Sequence, residues 1–200
     1  MSQSSETTET FQIPPAAAER YEERFVPSVF AEWAPVTLEA AEAQPGDRLR
    51  DVACGTGIVA RTAHRQSQGR IDVTGVDLNQ AMLAVAARVE PGVDWRQGDV
   101  GALPFADHDF DVVVCQMAFM FFPDRSRALA ELVRVARPGG RLAIVVPAAL
   151  DAQAAYGPFV DVAAEHTGDD ARSLLGTYWN CGDLPAFTEL ARRAGMIDVT

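Results

Sequence analysis

Residues 51–57 read Asp-Val-Ala-Cys-Gly-Thr-Gly, and they lie where a short predicted β-strand, about residues 48–53, gives way to a helix from about residue 57. Gly55 and Gly57 allow the backbone to turn tightly and to approach a ligand closely. The free N–H groups at the start of the following helix would face the same crevice. In open α/β sheets, ligands bind beyond the carboxyl ends of the strands, where the strand order reverses. The heptapeptide therefore predicts a ligand site at the end of the first strand.

The chain on both sides of this turn alternates between strands and helices. The predicted strands are residues 48–53, 71–77, 93–96, 110–115 and 142–146, and the helices between them are residues 57–67, 79–88 and 123–136. This alternation predicts a parallel sheet, and the apolar strands indicate that helices cover both of its faces. We therefore expect an α/β fold of the Rossmann-like, doubly wound type with a mostly parallel sheet.

Three segments lie outside the alternation. Residues 1–12 are polar and acidic, and they are predicted to form a disordered tail. Residues 13–200 are predicted to form one domain. Within it, residues 13–44 are expected to be helical with a break near Pro27, and residues 148–183, with several prolines and glycines, to form an insertion over the open edge of the sheet.

Composition excludes several classes of protein. The formal net charge is −11, which favours neither nucleic acid nor an anionic membrane surface as a partner. No apolar run approaches the roughly 20 residues of a membrane span. The three cysteines are widely spaced and the histidines are scattered, so we expect no zinc site, no other metal and no disulfide framework. Cysteine usage favours a reducing, cytoplasmic location.

Acidic residues indicate the chemistry of the ligand. Asp51 lies directly before the glycine turn, where it would repel a pyrophosphate and attract an ammonium group. Asp77 ends the second strand, and a carboxylate there can accept hydrogen bonds from both hydroxyls of a ribose, a feature shared with NAD sites. Asp99 follows the third strand, where it can accept a hydrogen bond from an adenine amino group. Ala60 stands at the third position of the dinucleotide glycine pattern, where alanine is tolerated, so that test is weak.

The full set of motifs resembles the class I S-adenosylmethionine-dependent methyltransferases. It comprises DVACGTG (51–57), GVDLNQAML (75–83), QGDVGALPF (97–105), FDVVV (110–114) and RPGGRL (137–142), in this order. Within that class it is similar to the group that includes ubiquinone and menaquinone biosynthesis methyltransferases and many natural-product enzymes. The resemblance covers about residues 45–147. It implies that S-adenosylmethionine is the cofactor and that a methyl group goes to a small-molecule acceptor through an oxygen, nitrogen or carbon atom.

The resemblance also implies a set of cofactor-binding residues. Those near the methionine part are Asp51, Ala53, Gly55, Gly57 and Gln116; those near the ribose and adenine are Asp77, Leu78, Met82, Asp99 and Val100; and Tyr21 and Phe25 belong to a helical lid formed by residues 13–44. Residues 148–183 would then cover an acceptor pocket.

The acceptor side is less defined. The cluster of Met117, Phe119, Met120, Phe121 and Phe122 is typical either of core or of an acceptor-pocket wall, and both interpretations stay open, as they do for Tyr156, Tyr178 and Trp179. His166 in the insertion is a candidate general base or an ordinary surface residue. No catalytic residue is assigned otherwise, because a base is needed only if the acceptor must lose a proton.

Two features depart from the family pattern. Arg50 occupies a strand position that is usually apolar, so it needs a charged partner or an exit to solvent. The family sheet usually continues with strands six and seven, whereas this sequence ends at residues 197–200, just after a new strand is predicted to begin. The sequence is then a truncated piece, or a partner chain supplies the edge, or the sheet ends early.

Two other functions compete with methyl transfer. An NAD(P)-dependent oxidoreductase would use a proton donor such as a Tyr-x-x-x-Lys pair, and the chain contains no lysine. A non-catalytic S-adenosylmethionine-binding protein, acting as an interaction module, is the second alternative. The sequence is also compatible with a homo-oligomer.

Overall fold

The five strands form one sheet in the order β3-β2-β1-β4-β5, and each strand is parallel to its neighbours. In the computed structural model, which describes residues 12–168 and 175–200, the strands are β1 Arg48–Val52, β2 Asp72–Asp77, β3 Asp94–Gln97, β4 Phe110–Gln116 and β5 Ala136–Val145. The order reverses at β1, which lies between β2 and β4. The Rossmann-like, doubly wound fold is therefore confirmed. The predicted tail falls outside the described residues, apart from residue 12.

Helices cover both faces of this sheet. They are α1 Pro15–Arg20, α2 Trp33–Ala40, α3 Ile58–Gln66, α4 Gln80–Val89, α5 Arg125–Val135, α6 Tyr156–Thr167 and α7 Leu184–Arg193, with a π-helix at Tyr21–Phe30 and 3-10 turns at Phe119–Phe121, Leu150–Ala152 and Thr177–Trp179. Asn79 caps α4 as predicted, since its side chain accepts hydrogen bonds from the N–H groups of Ala81 and Met82. Among the residues that the structure describes, no helix has the length and apolarity to cross a membrane.

Side chains that alternate along β1 enter two different cores. Leu49 joins the core on the side of α2 and α3, with Val59 of α3. Val52 joins the core on the side of α5, with Leu129 and Leu132 of that helix. This alternation follows from the period of two in a strand, and it leaves the carboxyl end of β1 free to carry a site.

The N-terminal segment differs from the prediction at Pro27. The π-helix runs through this proline without a break, and the N–H of Ala31 bonds to the carbonyl of Val26 at 2.8 Å, an i→i+5 bond. A proline ring in an α-helix clashes with the carbonyl four residues earlier, and the wider winding relieves that clash.

Three predicted boundaries also move. Strand β5 begins at Ala136, which pairs with Phe110, and a register shift accommodates the glycines that were predicted to precede the strand. Helix α5 begins after Asp124, whose carboxylate caps the N–H of Arg127 at 2.9 Å, so Pro123 precedes the helix instead of opening it. Residues 197–200 form no strand, because no neighbouring strand pairs with them.

Candidate functional site

A cavity of about 320 Å³ lies at the carboxyl ends of β1, β2 and β4. Its lining includes ten of the predicted cofactor-binding residues: Tyr21, Asp51, Ala53, Gly55, Asp77, Leu78, Met82, Asp99, Val100 and Gln116. Gly57 and Phe25 are not among the lining residues. The cavity lies where the strand order reverses, which is the usual place for a ligand in this architecture.

Two carboxylates lie at the ends of adjacent strands in this cavity. Asp51 is 2% exposed, and its Oδ2 accepts a hydrogen bond from the N–H of Ala60 at 2.9 Å. Burial raises the pKa of Asp51 to about 7. Asp77 accepts hydrogen bonds from the N–H groups of Gly55 and Asn79, each at 2.8 Å, and burial also raises its pKa. Asp77 therefore shapes the glycine turn and lines the cavity at once.

The two glycines of the turn have different roles. Gly55 has a φ of +58°, and a Cβ built on it would point toward the ring of Tyr21, whose hydroxyl is 3.8 Å away. Gly57 has a φ of +83°, and its Cβ would lie 2.1 Å from Cη2 of Trp95. Gly57 therefore makes room for an indole, and its approach to a ligand stays a prediction.

Trp95 is a supporting residue that sequence reasoning missed. The same indole lies so close to Gly75 that a Cβ there would be 2.4 Å from Cζ3, and its Nε1 donates to the carbonyl of Glu90 at 2.9 Å. A glycine inside a predicted strand often marks the close approach of another group. Gly75 was therefore the feature of the sequence that could have indicated a bulky side chain packed against β2.

Two aromatic rings of residues 13–44, the predicted lid, line the cavity. Tyr21 and Phe30 both line it, and their rings stack with centroids 5.3 Å apart. In an α-helix, with 3.6 residues per turn, nine residues make two and a half turns, which would place these rings on opposite faces. The i→i+5 winding takes more residues per turn and brings them to one face. Phe25 is 54% exposed and stacks with Tyr21 at 6.1 Å, so it supports the lid from outside the cavity.

Polar contacts fasten the lid to the rest of the fold. Gln116, at the end of β4, donates from Nε2 to the carbonyl of Phe30 at 3.1 Å and accepts from the hydroxyl of Thr37 at 2.8 Å. Arg61 of α3 pairs with Glu22 at 2.7 Å, and both side chains are largely buried. Both polar groups of Gln116 are thus engaged by the N-terminal segment, a structural role beside the predicted cofactor contact.

The aromatic cluster after β4 is divided between core and cavity. Phe119 and Met120 are buried in the core beside α5, whereas Met117, Phe121 and Phe122 line the cavity. From the predicted insertion, Tyr178 lines the cavity and packs edge-on against Phe121, with centroids 4.9 Å apart. Tyr156 and Trp179 pack against each other, also at 4.9 Å. Residues 169–174 of this predicted insertion lie outside the described residues.

The candidate base His166 lies away from this site. It is exposed, it is not part of the cavity lining, and its Nδ1 lies 2.8 Å from the carbonyl of Val162 in its own helix. Burial raises the pKa of Tyr21, Cys54 and Tyr178, three further titratable groups in the lining, so all three keep their protons at neutral pH. Within the described ranges, no group of three His, Cys, Asp or Glu side chains could hold a metal ion.

Among the described residues, Arg50 has no ion pair, and its side chain does not reach solvent. It is 1% exposed, and its Nε and Nη1 have no hydrogen-bond partner. Its guanidinium carbon lies instead 3.4 Å from the ring centroid of Phe105 and 4.1 Å from that of Phe110. Burial lowers the pKa of Arg50 to about 9. Cation–π contact with two rings partly offsets the lost hydration.

Comparison with known proteins finds a matching family and similar proteins. Residues 50–144 match the profile of a family described as "Methyltransferase domain". A demethylmenaquinone methyltransferase from Renibacterium salmoninarum is 36% identical over 134 residues, which cover 67% of this chain and 54% of that protein. The chain spans about half the length of the curated relatives it matches.

Solved structures agree with the fold. The crystal structure of the [4+2]-cyclase SpnF is 30% identical with a TM-score of 0.53, over 57% of this chain and 43% of that chain. A TehB-like SAM-dependent methyltransferase from Corynebacterium glutamicum is 24% identical with a TM-score of 0.64, over 91% of this chain and 84% of that chain. The second likeness concerns the fold alone.

Proposed function

We propose that the chain, whose residues 50–144 match a methyltransferase domain, transfers a methyl group from S-adenosylmethionine to a small hydroxyaromatic acceptor of the quinol type. The observation that carries the proposal is the pair of carboxylates, Asp51 and Asp77, at the ends of adjacent strands in one cavity. Asp51 can attract a cationic group, and Asp77 can accept hydrogen bonds from two neighbouring hydroxyl groups. The cytoplasmic location predicted from the sequence is part of this proposal.

The lining residues fit the cofactor. Asp51 would hold its ammonium group, and the Asp77 carboxylate, which keeps free lone pairs beside its two backbone N–H bonds, would accept hydrogen bonds from the ribose hydroxyls. Leu78 and Val100 offer apolar walls for the adenine, and Asp99 an acceptor for its amino group. When bound, S-adenosylmethionine supplies a methyl group on a positively charged sulfur.

The chain's own residues position the reactants and exclude water. Tyr21 and Phe30 would close the cavity over the reacting atoms, and Met117 and Phe121 would form an apolar wall for the acceptor. Positioning of this kind is the main contribution a protein makes when the cofactor carries the activated group. Methyl transfer to an O–H or C–H group of the acceptor would displace one proton, which would leave to solvent when the cavity opens.

With Asp51 assigned to the ammonium group and Asp77 to the ribose, the remaining titratable side chains favour an acceptor that is nucleophilic without help from a general base. Tyr21, Cys54 and Tyr178 are held protonated by burial, and His166 lies elsewhere. A quinol is electron-rich and nucleophilic at its ring carbons and oxygens, whereas the quinone itself is an electrophile. The name of the Renibacterium relative supports the same acceptor class.

Calorimetric titration with S-adenosylhomocysteine tests the cofactor site, with NAD as the comparison ligand. Asp77→Asn keeps an oxygen for one of the two backbone N–H groups, which bond to different carboxylate oxygens, and it removes the charge that would receive the ribose hydroxyls. Circular dichroism checks that the variant folds. We expect this variant to bind about 10- to 100-fold more weakly, the usual effect of losing hydrogen bonds to a charged group. Asp72→Asn, at the exposed start of the same strand, is the matched control and should bind as the unmodified chain does.

Transfer from methyl-labelled cofactor to a 1,4-naphthoquinol then tests the reaction, with product detected by mass spectrometry. Binding of NAD in preference to S-adenosylhomocysteine would refute the proposal at the first step. Cofactor binding without transfer to any acceptor of this class would favour a non-catalytic protein, or a reaction other than methyl transfer, as the name of the [4+2]-cyclase SpnF indicates for that protein.

A further inference from the structure

Helix α5 holds the loop that forms the predicted adenosine side of the cavity. The loop, residues 98–109, contributes Gly98, Asp99, Val100, Gly101 and Leu103 to the lining. Three α5 side chains at successive turns of the helix contact the backbone of the loop: Arg127, Glu131 and Arg134. We call these three residues the α5 clamp; Arg127 also lines the cavity, whereas Glu131 and Arg134 are not among its lining residues.

The contacts recur at every second residue of the loop. Arg127 donates from Nε to the carbonyl of Gly101 at 2.6 Å. Glu131 accepts at Oε2 from the N–H of Leu103 at 2.7 Å, and Arg134 donates to the Leu103 carbonyl at 3.0 Å. Arg134 also donates to the carbonyl of Phe105 at 2.8 Å. Because α5 binds the backbone at alternate residues, we expect the part of the loop that lines the cavity to be restrained.

Glu131 and Arg134 form the central pair of the clamp. The Nε and Nη2 atoms of Arg134 donate to the two carboxylate oxygens of Glu131, each at 2.7 Å, in a fork-to-fork arrangement. These bonds lower the pKa of Glu131 and raise that of Arg134. The remaining guanidinium donors go to the loop, including Asp107 at 2.7 Å. Lysine has no such planar fork, so it would not reproduce this set of bonds.

The clamp reaches the cavity through Gly101. The N–H of Gly101 donates to Oδ1 of Asp99 at 2.8 Å, which fixes the orientation of that carboxylate. The peptide after Gly101 is held by Arg127, and Leu103, held by Glu131, is itself buried in the cavity wall. Arg127 thus holds the residue that bonds to Asp99, and Glu131 and Arg134 hold the cavity wall at Leu103.

We propose that Glu131 and Arg134 are positioning residues for the adenosine side of the cofactor site, which they order without touching the ligand. The inference rests on the proposed function, because it assigns that end of the cavity to adenosine. It predicts that loss of the pair weakens every ligand that contains adenosine by one common factor.

The experiment compares four variants in calorimetric titrations with S-adenosylhomocysteine and with adenosine. Arg134→Ala and Glu131→Ala should each weaken both ligands by about tenfold. Glu131→Gln keeps an oxygen that can accept from the N–H of Leu103, so it should restore most of the affinity. Arg193→Ala removes an exposed ion pair with Glu189 on α7 and should bind as the unmodified chain does. Amide exchange of residues 101–107 without ligand should rise in the two alanine variants alone.

The outcomes separate the two hypotheses. An unmodified chain that binds neither ligand refutes the proposed function, and this inference with it. An unmodified chain that binds both, beside a folded Arg134→Ala variant of equal affinity, overturns the inference alone. If the alanine variants do not fold by circular dichroism, Arg134→Lys and Glu131→Gln decide: we expect weaker binding in the lysine variant only, and equal affinity in both would again overturn the inference.

Discussion

Asp51→Asn should abolish the pH dependence of S-adenosylhomocysteine binding between pH 6 and pH 8. Burial raises the pKa of Asp51 to about 7, so the carboxyl is largely neutral at pH 6 and largely ionised at pH 8. Only the ionised form attracts the ammonium group that we assign to this part of the cavity. Affinity of the unmodified chain should therefore rise with pH.

The size of the effect follows from the fraction of ionised Asp51. A group with a pKa near 7 is roughly 10% ionised at pH 6 and roughly 90% at pH 8, and apparent affinity scales with the competent fraction, so Kd should fall about tenfold across this range. Binding at pH 7 should release a proton, which calorimetry in two buffers of different ionisation enthalpy measures. 5′-Methylthioadenosine lacks the ammonium group, and its Kd should not change with pH.

Asp51→Asn is a suitable control for the charge, because its side-chain oxygen can still accept from the N–H of Ala60.

The stability of the ligand-free protein should fall as the pH rises, whereas its affinity for the ligand rises. A carboxyl whose folded pKa is raised binds its proton more tightly in the folded state, so the free energy of unfolding falls as the pH rises from about 4 to about 7. A tenfold gain in affinity that persists in Asp51→Asn would refute this reasoning.

Two further substitutions test the packing around the site by thermal and urea unfolding. Gly57→Ala should lower Tm by several degrees more than Gly139→Ala, because both glycines have positive φ but only at Gly57 does the new Cβ meet Trp95. An equal decrease in Tm for the two variants would show that backbone strain alone destabilises them and that the contact with Trp95 has no effect. Arg50→Met should leave the free energy of unfolding within about 1 kcal/mol of the unmodified chain, since it removes an unpaired buried cation as well as its ring contacts. Arg50→Ala should cost about 2–5 kcal/mol, because it opens a cavity; a methionine variant as unstable as the alanine one would contradict this account.

The carboxylates of the site could be predicted from the sequence because parallel strands bring their carboxyl ends to one edge. Asp51 and Asp77 each end a strand, and β1 and β2 are neighbours, so local patterns were enough to bring them together. Asn79 could be predicted for the same reason, since a helix cap is a local feature.

Other residues depend on tertiary structure that no local pattern contains. Phe30 reaches the cavity only because the segment around Pro27 winds as a π-helix, whereas a 3.6-residue period predicts the opposite face. Trp95 occupies space that two glycines from different elements leave open together. The clamp on α5 binds backbone groups of a loop that precedes it by more than one element, and its residues look like an ordinary charged helix face in the sequence.

The two adjacent charges on β1 face opposite sides of the sheet, yet both are connected to the same cavity. Asp51 lines it directly, and the energetic cost of its burial is offset when a cation binds beside it. Arg50 faces the other side, where its guanidinium stacks on Phe105, a residue of the loop that carries Asp99. Phe105 is also the residue whose carbonyl Arg134 holds, so β1 and α5 fix the same loop from two sides. We therefore expect Arg50 to contribute to the order of this loop, and Arg50→Met should increase amide exchange of the loop even where unfolding shows no loss.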